Sequence, residues 1–187
     1  MDHQLLKFIQ DSRIVGLDPF FKLICEQTTS ITIGAIAALI FMGLIFKQNK
    51  RLTMVGMKTL VVILINATVV IILKNIIQRA RPFDTYDDII KLSSGGSPSF
   101  PSGHTAEVFA LAFSMLFILK NKTVFYLFLA WAILIGYSRM SMGVHYPSDV
   151  LVGALIGGGM AYFINFLLEK YLPENSVKEN PEKEVNS

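Results

Sequence analysis

Cysteine is all but missing: Cys25 stands alone among 187 residues, so neither an intrachain disulfide nor a cysteine-based metal site can be built. Charge is scarce as well. Charged residues make up 17% of the chain against 52% hydrophobic, with a mean hydropathy of +0.51, a balance that excludes an ordinary soluble domain. The basic residues form no stripe interleaved with aromatics and the net charge is only +3, which argues against a nucleic-acid partner. No period repeats along the chain. Nor does a short basic start run straight into an apolar stretch, as a cleaved signal peptide requires.

Long apolar runs are what the chain does have. They cover residues 27–46, 59–73, 105–119, 123–138 and 150–168, and the simplest reading is an all-α, polytopic membrane helical bundle with five transmembrane helices. The middle three runs are shorter than the roughly 20 residues a crossing needs, but Lys58, Lys74, Lys120 and Lys122 at their ends can snorkel. Residues 1–26 mix Asp2, Lys7, Asp11 and Arg13 with Leu5, Leu6, Phe8 and Ile9, the pattern of an amphipathic or partly inserted N-terminal helix. The domain then occupies 27–172. The tail 173–187, rich in Glu, Lys, Asn, Pro and Ser, lacks the apolar surface needed to order it.

With five crossings, Lys47, Lys50, Arg51, Lys120, Lys122 and Lys170 share one side. The positive-inside tendency makes that side cytoplasmic and puts the N-terminus, the connection 78–103 and the connection 139–149 outside.

Three polar clusters fall on that outer side, where charge near membrane depth marks a site. Lys74 and Arg81 are seven residues apart, two helical turns, and so share a face of a helix that Pro82 ends; Arg79 points elsewhere and reads as a solvated or headgroup contact. Pro101-Ser102-Gly103-His104 opens an apolar helix, with Ser102 as N-cap, free first-turn amides as an anion site, and Gly103 admitting an oxyanion to the backbone. In Ser138-Arg139 and His145-Tyr146-Pro147-Ser148-Asp149, Arg139 adds a third cation, and Asp149, four residues past His145, can accept its ring N–H and leave the other nitrogen free to attack. Singly, each cluster has a plain structural reading, as stop residues, a helix cap or a turn pair. Together, two histidines, three cations and a carboxylate describe phosphoryl transfer through a phosphohistidine.

The motifs Lys-x6-Arg-Pro, Pro-Ser-Gly-His and Ser-Arg-x5-His-x3-Asp, in this order between Lys74 and Asp149, resemble those of the type 2 phosphatidic acid phosphatase family. The resemblance implies His145 as nucleophile, Asp149 as its orienting partner, and His104 as the acid that protonates the leaving group and then activates water. It implies Lys74, Arg81, Ser102, Gly103 and Arg139 as the phosphate holders, with no metal and no cofactor. It also implies a lipid phosphate or polyprenyl diphosphate as substrate, in the bacterial cytoplasmic membrane with the active site on the extracytoplasmic face. Members of the lipid branch usually have six spans, where five are visible here.

Undecaprenyl diphosphate, phosphatidylglycerophosphate, phosphatidic acid and a phosphorylated lipid A remain open, the first ranked ahead because the compact chain resembles small bacterial members. Selectivity is expected to reside in residues 1–26 and 83–100. A catalytically silent lipid-binding membrane protein and a phosphatase of soluble esters are the alternatives. Glu107, one turn past His104, reads equally as a tuning group or as a structural hydrogen-bonding group. Gly153 and Gly157 read as a helix-packing pair. Oligomeric state does not follow.

Overall fold

The computed structural model describes residues 1–45, 50–96 and 98–171; the connection 46–49 and the tail 173–187 lie outside the described residues. Among those described, the chain is helical throughout its regular structure: α1 (Asp2–Asp11), α2 (Asp18–Ile45), α3 (Lys50–Ile77), α4 (Pro82–Thr85), α5 (Gly103–Phe117), α6 (Lys122–Ser141) and α7 (Pro147–Tyr171), with one 3-10 turn at Val15–Leu17. The all-helical membrane bundle expected from the sequence is what forms.

The count of five crossings needs correction. Among the described residues, four segments are long and apolar enough to span a bilayer: Val15–Ile45, Arg51–Thr85, Lys122–Ser141 and Pro147–Tyr171. The third run, 105–119, becomes α5, 15 residues long. At 1.5 Å per residue that is about 22 Å, short of a hydrocarbon core of about 30 Å. Its role is central packing. Eight of its residues, including Thr105, Ala106, Val108, Ala110 and Met115, are buried, against α3, α6 and α7. The first span also begins earlier than expected. Asp18 and Pro19 open α2, an acidic residue and a proline in the turn where both are favourable, and Phe21, Ile24 and Cys25 join the core beside Ala132, Ile135 and Val144.

Helix α1 is amphipathic as expected, but it docks. Leu6 and Gln10 are buried while Leu5 and Phe8 face outward. The Gln10 side chain donates to the Ile90 carbonyl at 2.7 Å and accepts from the Ile90 amide at 2.9 Å, so both backbone groups of a connection residue are satisfied by one helix.

Two glycines of α7 set how near it comes to α5. A Cβ on Gly153 would fall 2.6 Å from the Ser102 carbonyl oxygen, and one on Gly157 would fall 2.1 Å from that of Ala106. The small-residue spacing brings the two backbones together. As a result Ser102 N–H donates to the Asp149 carbonyl at 3.0 Å, joining the starts of α5 and α7. Gly157→Ala should therefore lower the thermal unfolding midpoint in detergent by the equivalent of about 1–3 kcal/mol of overpacking. Gly159→Ala, where a Cβ meets nothing within 4 Å, should leave the midpoint unchanged or raise it slightly.

Candidate active site

The three sequence clusters converge at the bundle end where α2 begins and α3 stops. Lys74, Arg81, Gly103, His104, Arg139 and His145 line one cavity of about 950 Å³. Lys74 and Arg81 reach it by different routes, which corrects the expectation of one shared helix face. α3 ends at Ile77, and Gln78 takes a left-handed φ of 47°, its amide capping the Lys74 carbonyl at 3.0 Å. The chain turns, Arg81 is extended, and Pro82 starts α4 rather than ending α3. Seven residues thus bring two cations to one place by a reversal.

The Lys74 ammonium donates to the Pro98 carbonyl. Arg81, 5% exposed, donates from Nη1 to the Val144 carbonyl at 2.6 Å and lies 3.4 Å from His145 Nε2. An arginine can only donate, so this contact leaves Nε2 as the unprotonated nitrogen and the proton on Nδ1. Arg139 is buried and donates from Nη1 to Cys25 Sγ at 2.7 Å, while its Nε has no acceptor among the described residues. Three cations with at least one unspent donor suit a ligand bearing several anionic oxygens.

His145 sits in the turn between α6 and α7, 1% exposed. Gly143 makes that turn possible: its φ is +73°, and a Cβ there would meet the Ile90 carbonyl at 2.3 Å. Burial pushes the His145 imidazole down to about 3, the Arg139 and Arg81 charges adding to the effect against the pull of Asp149. The ring is therefore neutral near pH 7, with a lone pair to donate.

Asp149 has no exposure. Its Oδ2 accepts from the Ser99 hydroxyl and from the Tyr146 amide, the latter at 3.0 Å, and stands 3.5 Å from His145 Nδ1. That is contact by charge more than by a formed hydrogen bond, and Nδ1 has no hydrogen-bond partner among the described residues. Oδ1 accepts from Arg79 at 2.6 Å. Arg79, its side chain 30% exposed, thus pairs with the site's carboxylate as well as facing solvent, a contact sequence reasoning missed. Its signal was a charge between two other site cations.

Ser102 occupies the N-cap of α5, but its hydroxyl bonds Thr105 Oγ1 at 2.8 Å rather than a first-turn amide. The free amides of that turn lie beside Gly103 and His104 at the cavity wall. Glu107 lines the same wall and accepts from Thr29 at 2.8 Å through Oε2, its Oε1 unpaired. The rest of the lining is largely apolar, with Ile33, Ile36 and Ile40 of α2 facing Leu60, Ile63, Ala67 and Val70 of α3, interrupted on α3 by the buried Asn66. No residue of 1–26 contributes. From 83–100, among the described residues, Ser94, Gly95 and Gly96 do, and two membrane helices build most of the wall.

The PAP2 superfamily profile matches residues 55–171, more than half of the chain, and the chain belongs to that superfamily. A lipid A 4′-phosphatase of Bacteroides thetaiotaomicron is 31% identical over 104 residues, 52% of this chain and 46% of that protein. An undecaprenyl-diphosphatase of Sulfolobus acidocaldarius is 27% identical over 177 residues, 94% of this chain and 82% of that one. The chain spans about half the length of several curated relatives it matches. Among solved structures, a transmembrane PAP2-type phosphatidylglycerolphosphate phosphatase from Bacillus subtilis superposes with a TM-score of 0.76 at 25% identity, covering 91% of this chain and 85% of that chain. The protein is an integral membrane member of the superfamily.

If the three cations form one anion site, Lys74→Ala and Arg139→Ala should each weaken orthovanadate binding by about 10–100-fold, the worth of one charge-assisted hydrogen bond. Lys91→Ala, an exposed cation over the Phe83 ring, should not. Calorimetric titration of the detergent-solubilised protein reads all three.

Proposed function

We propose that this chain is a metal-independent membrane phosphatase that hydrolyses a lipid phosphate or polyprenyl diphosphate through a phosphohistidine. The observation that carries this reading is one continuous cavity, with two histidines and three cations at one end and a largely apolar wall of α2 and α3, interrupted by Asn66, along the rest. A phosphate fits the first part and a hydrocarbon chain the second. A soluble ester would leave the apolar wall with nothing to bind.

Nε2 of His145 attacks phosphorus in line with the leaving oxygen. The P–O bond breaks as a P–N bond forms. His104, whose pKa burial and the Arg139, Arg81 and Lys74 charges push down to about 3, becomes the protonated acid once the phosphate's negative charge offsets those cations, and it then gives the leaving oxygen its proton. Lys74, Arg81, Arg139 and the α5 amides at Gly103 and His104 hold the equatorial oxygens, where charge builds, and Ser102 shapes that helix start. Asp149 steadies the imidazolium that develops on His145. His104, now unprotonated, takes a proton from water, whose oxygen attacks phosphorus and releases phosphate and neutral His145.

The basic residues Arg51, Lys120, Lys122 and Lys170 gather at the opposite end of the bundle. By the positive-inside tendency this arrangement supports a site on the extracytoplasmic face of a bacterial cytoplasmic membrane. Polyprenyl diphosphate is the first substrate to test, since a long isoprenoid has the most to gain from a groove along α2 and α3.

Phosphate release from undecaprenyl diphosphate, phosphatidylglycerophosphate, phosphatidic acid and a phosphorylated lipid A, in excess EDTA, tests the reading directly. Release should survive the chelator and fall at least about 1,000-fold in His145→Ala; wild-type turnover by that variant, or loss with EDTA, would sink the mechanism. His104→Ala should slow the lipid strongly but spare an aryl phosphate, whose leaving group needs no proton. Equal losses on both substrates would remove His104 from the acid role.

A further inference from the structure

Arg79 does not line the cavity, yet it is the cation bound most directly to Asp149. Its guanidinium forks between two carboxylates: Nη1 donates to Asp149 Oδ1 at 2.6 Å and Nη2 to Asp2 Oδ2 at 2.7 Å. Nη1 also donates to Ser148 Oγ at 2.7 Å, and the guanidinium lies over the Tyr146 ring, 3.8 Å from its centroid. Asp2 accepts from the Ser148 amide at 3.1 Å and from the Ser148 hydroxyl. Burial would raise the Asp2 carboxyl, but the Ser148 and Arg79 hydrogen bonds outweigh it and hold it below the usual carboxylate range.

The geometry points to Arg79 and Asp2 as a positioning clamp for the nucleophile, through which the N-terminal helix acts on the chemistry. The assignment rests on His145 as nucleophile. Ser99 and Tyr146 hold one oxygen of Asp149, and Arg79 holds the other, so the carboxylate has a single orientation, with Oδ2 toward His145 Nδ1. Arg79 also supplies the counter-charge without which a fully buried carboxylate is costly. Asp2 completes the fork: its charge balances the second half of the guanidinium and its oxygens fasten the Ser148 backbone at the start of α7. A lysine, with one compact charge, cannot bridge two carboxylates in this way.

The anchoring of α1 is consistent with a helix held in place for this contact. Besides Leu6 and Gln10, His3 stacks on Tyr86 with centroids 3.8 Å apart and pairs with Asp88 at 2.9 Å. The helix is thereby tied to the connection behind the site at three successive turns.

The test measures kcat and KM for a lipid phosphate and for an aryl phosphate, together with orthovanadate affinity, in full-length Arg79→Ala, Arg79→Lys, Asp2→Ala and the Arg79→Ala/Asp2→Ala double variant. Arg79→Ala should lower kcat about 10–100-fold, the usual effect of losing a partner that orients a reactive imidazole. The loss should be equal on both substrates, because positioning the nucleophile does not depend on the leaving group. KM and vanadate affinity should stay within about twofold. Asp2→Ala should show a smaller loss of kcat alone, Arg79→Lys should recover only part of the rate, and the double variant should be no slower than Arg79→Ala, since the two residues act as one unit. A raised KM or weakened vanadate binding at unchanged kcat would make Arg79 a substrate contact and overturn the clamp. A lowered thermal midpoint at unchanged kcat would make it purely structural and do the same. Should Arg79→Ala fail to fold, Asp2→Ala and Arg79→Lys carry the same reading. Turnover surviving in His145→Ala would instead overturn the nucleophile assignment on which the clamp rests.

Discussion

A carboxylate with no exposure at the end of a membrane bundle is the constraint around which the rest is arranged. Taking an ion out of water costs several kcal/mol unless partners replace the lost hydration, and Asp149 draws its partners from all over the chain. Ser99 comes from the connection before α5, Tyr146 from the turn before α7, and Arg79 from just past α3. The backbone carbonyl of the same residue takes the amide of Ser102, at the start of α5. Satisfying one charge therefore aligns the three segments that carry the chemistry.

The cations divide by function. Arg79 is balanced by Asp2 and Asp149, whereas Lys74, Arg81 and Arg139 all line the cavity. Three like charges sharing one partly dry space repel one another, and an anion with several oxygens relieves that repulsion. The neutral, buried His145 sits among them with its lone pair toward Arg81, so an anion held by the cations would lie beside that nitrogen. α5 is short because it serves this arrangement from the middle of the bundle. Its N-terminal turn is the cradle, and glycines on α7 let it sit close enough to be held by backbone contacts.

Much of this was legible in the chain. Long apolar runs among few charges can only be membrane helices, and polar residues at their ends stand out because lipid tolerates so few. The helical nature of the bundle, the polar end, and His104, His145, Asp149, Lys74, Arg81 and Arg139 as site candidates all follow from such local contrast, as does Pro147 at the start of α7. Composition and spacing act over a few residues, and so does the information they carry.

Partnership across the chain was decided by tertiary structure. Arg79 meets Asp2 across 77 residues, and Asp2 meets Ser148 across 146, so nothing in the neighbourhood of any of them announces the contact. The same holds for the left-handed turn at Gln78 that returns Arg81 to Lys74, and for the α2–α3 wall, whose isoleucines stand in the sequence only as parts of two apolar runs. The sequence by itself determined that the chain is a bundle of membrane helices and which residues are too costly there to lack a role. Packing decided which of those residues touch, because a buried charge takes its partner from whatever the folded chain brings within hydrogen-bond reach.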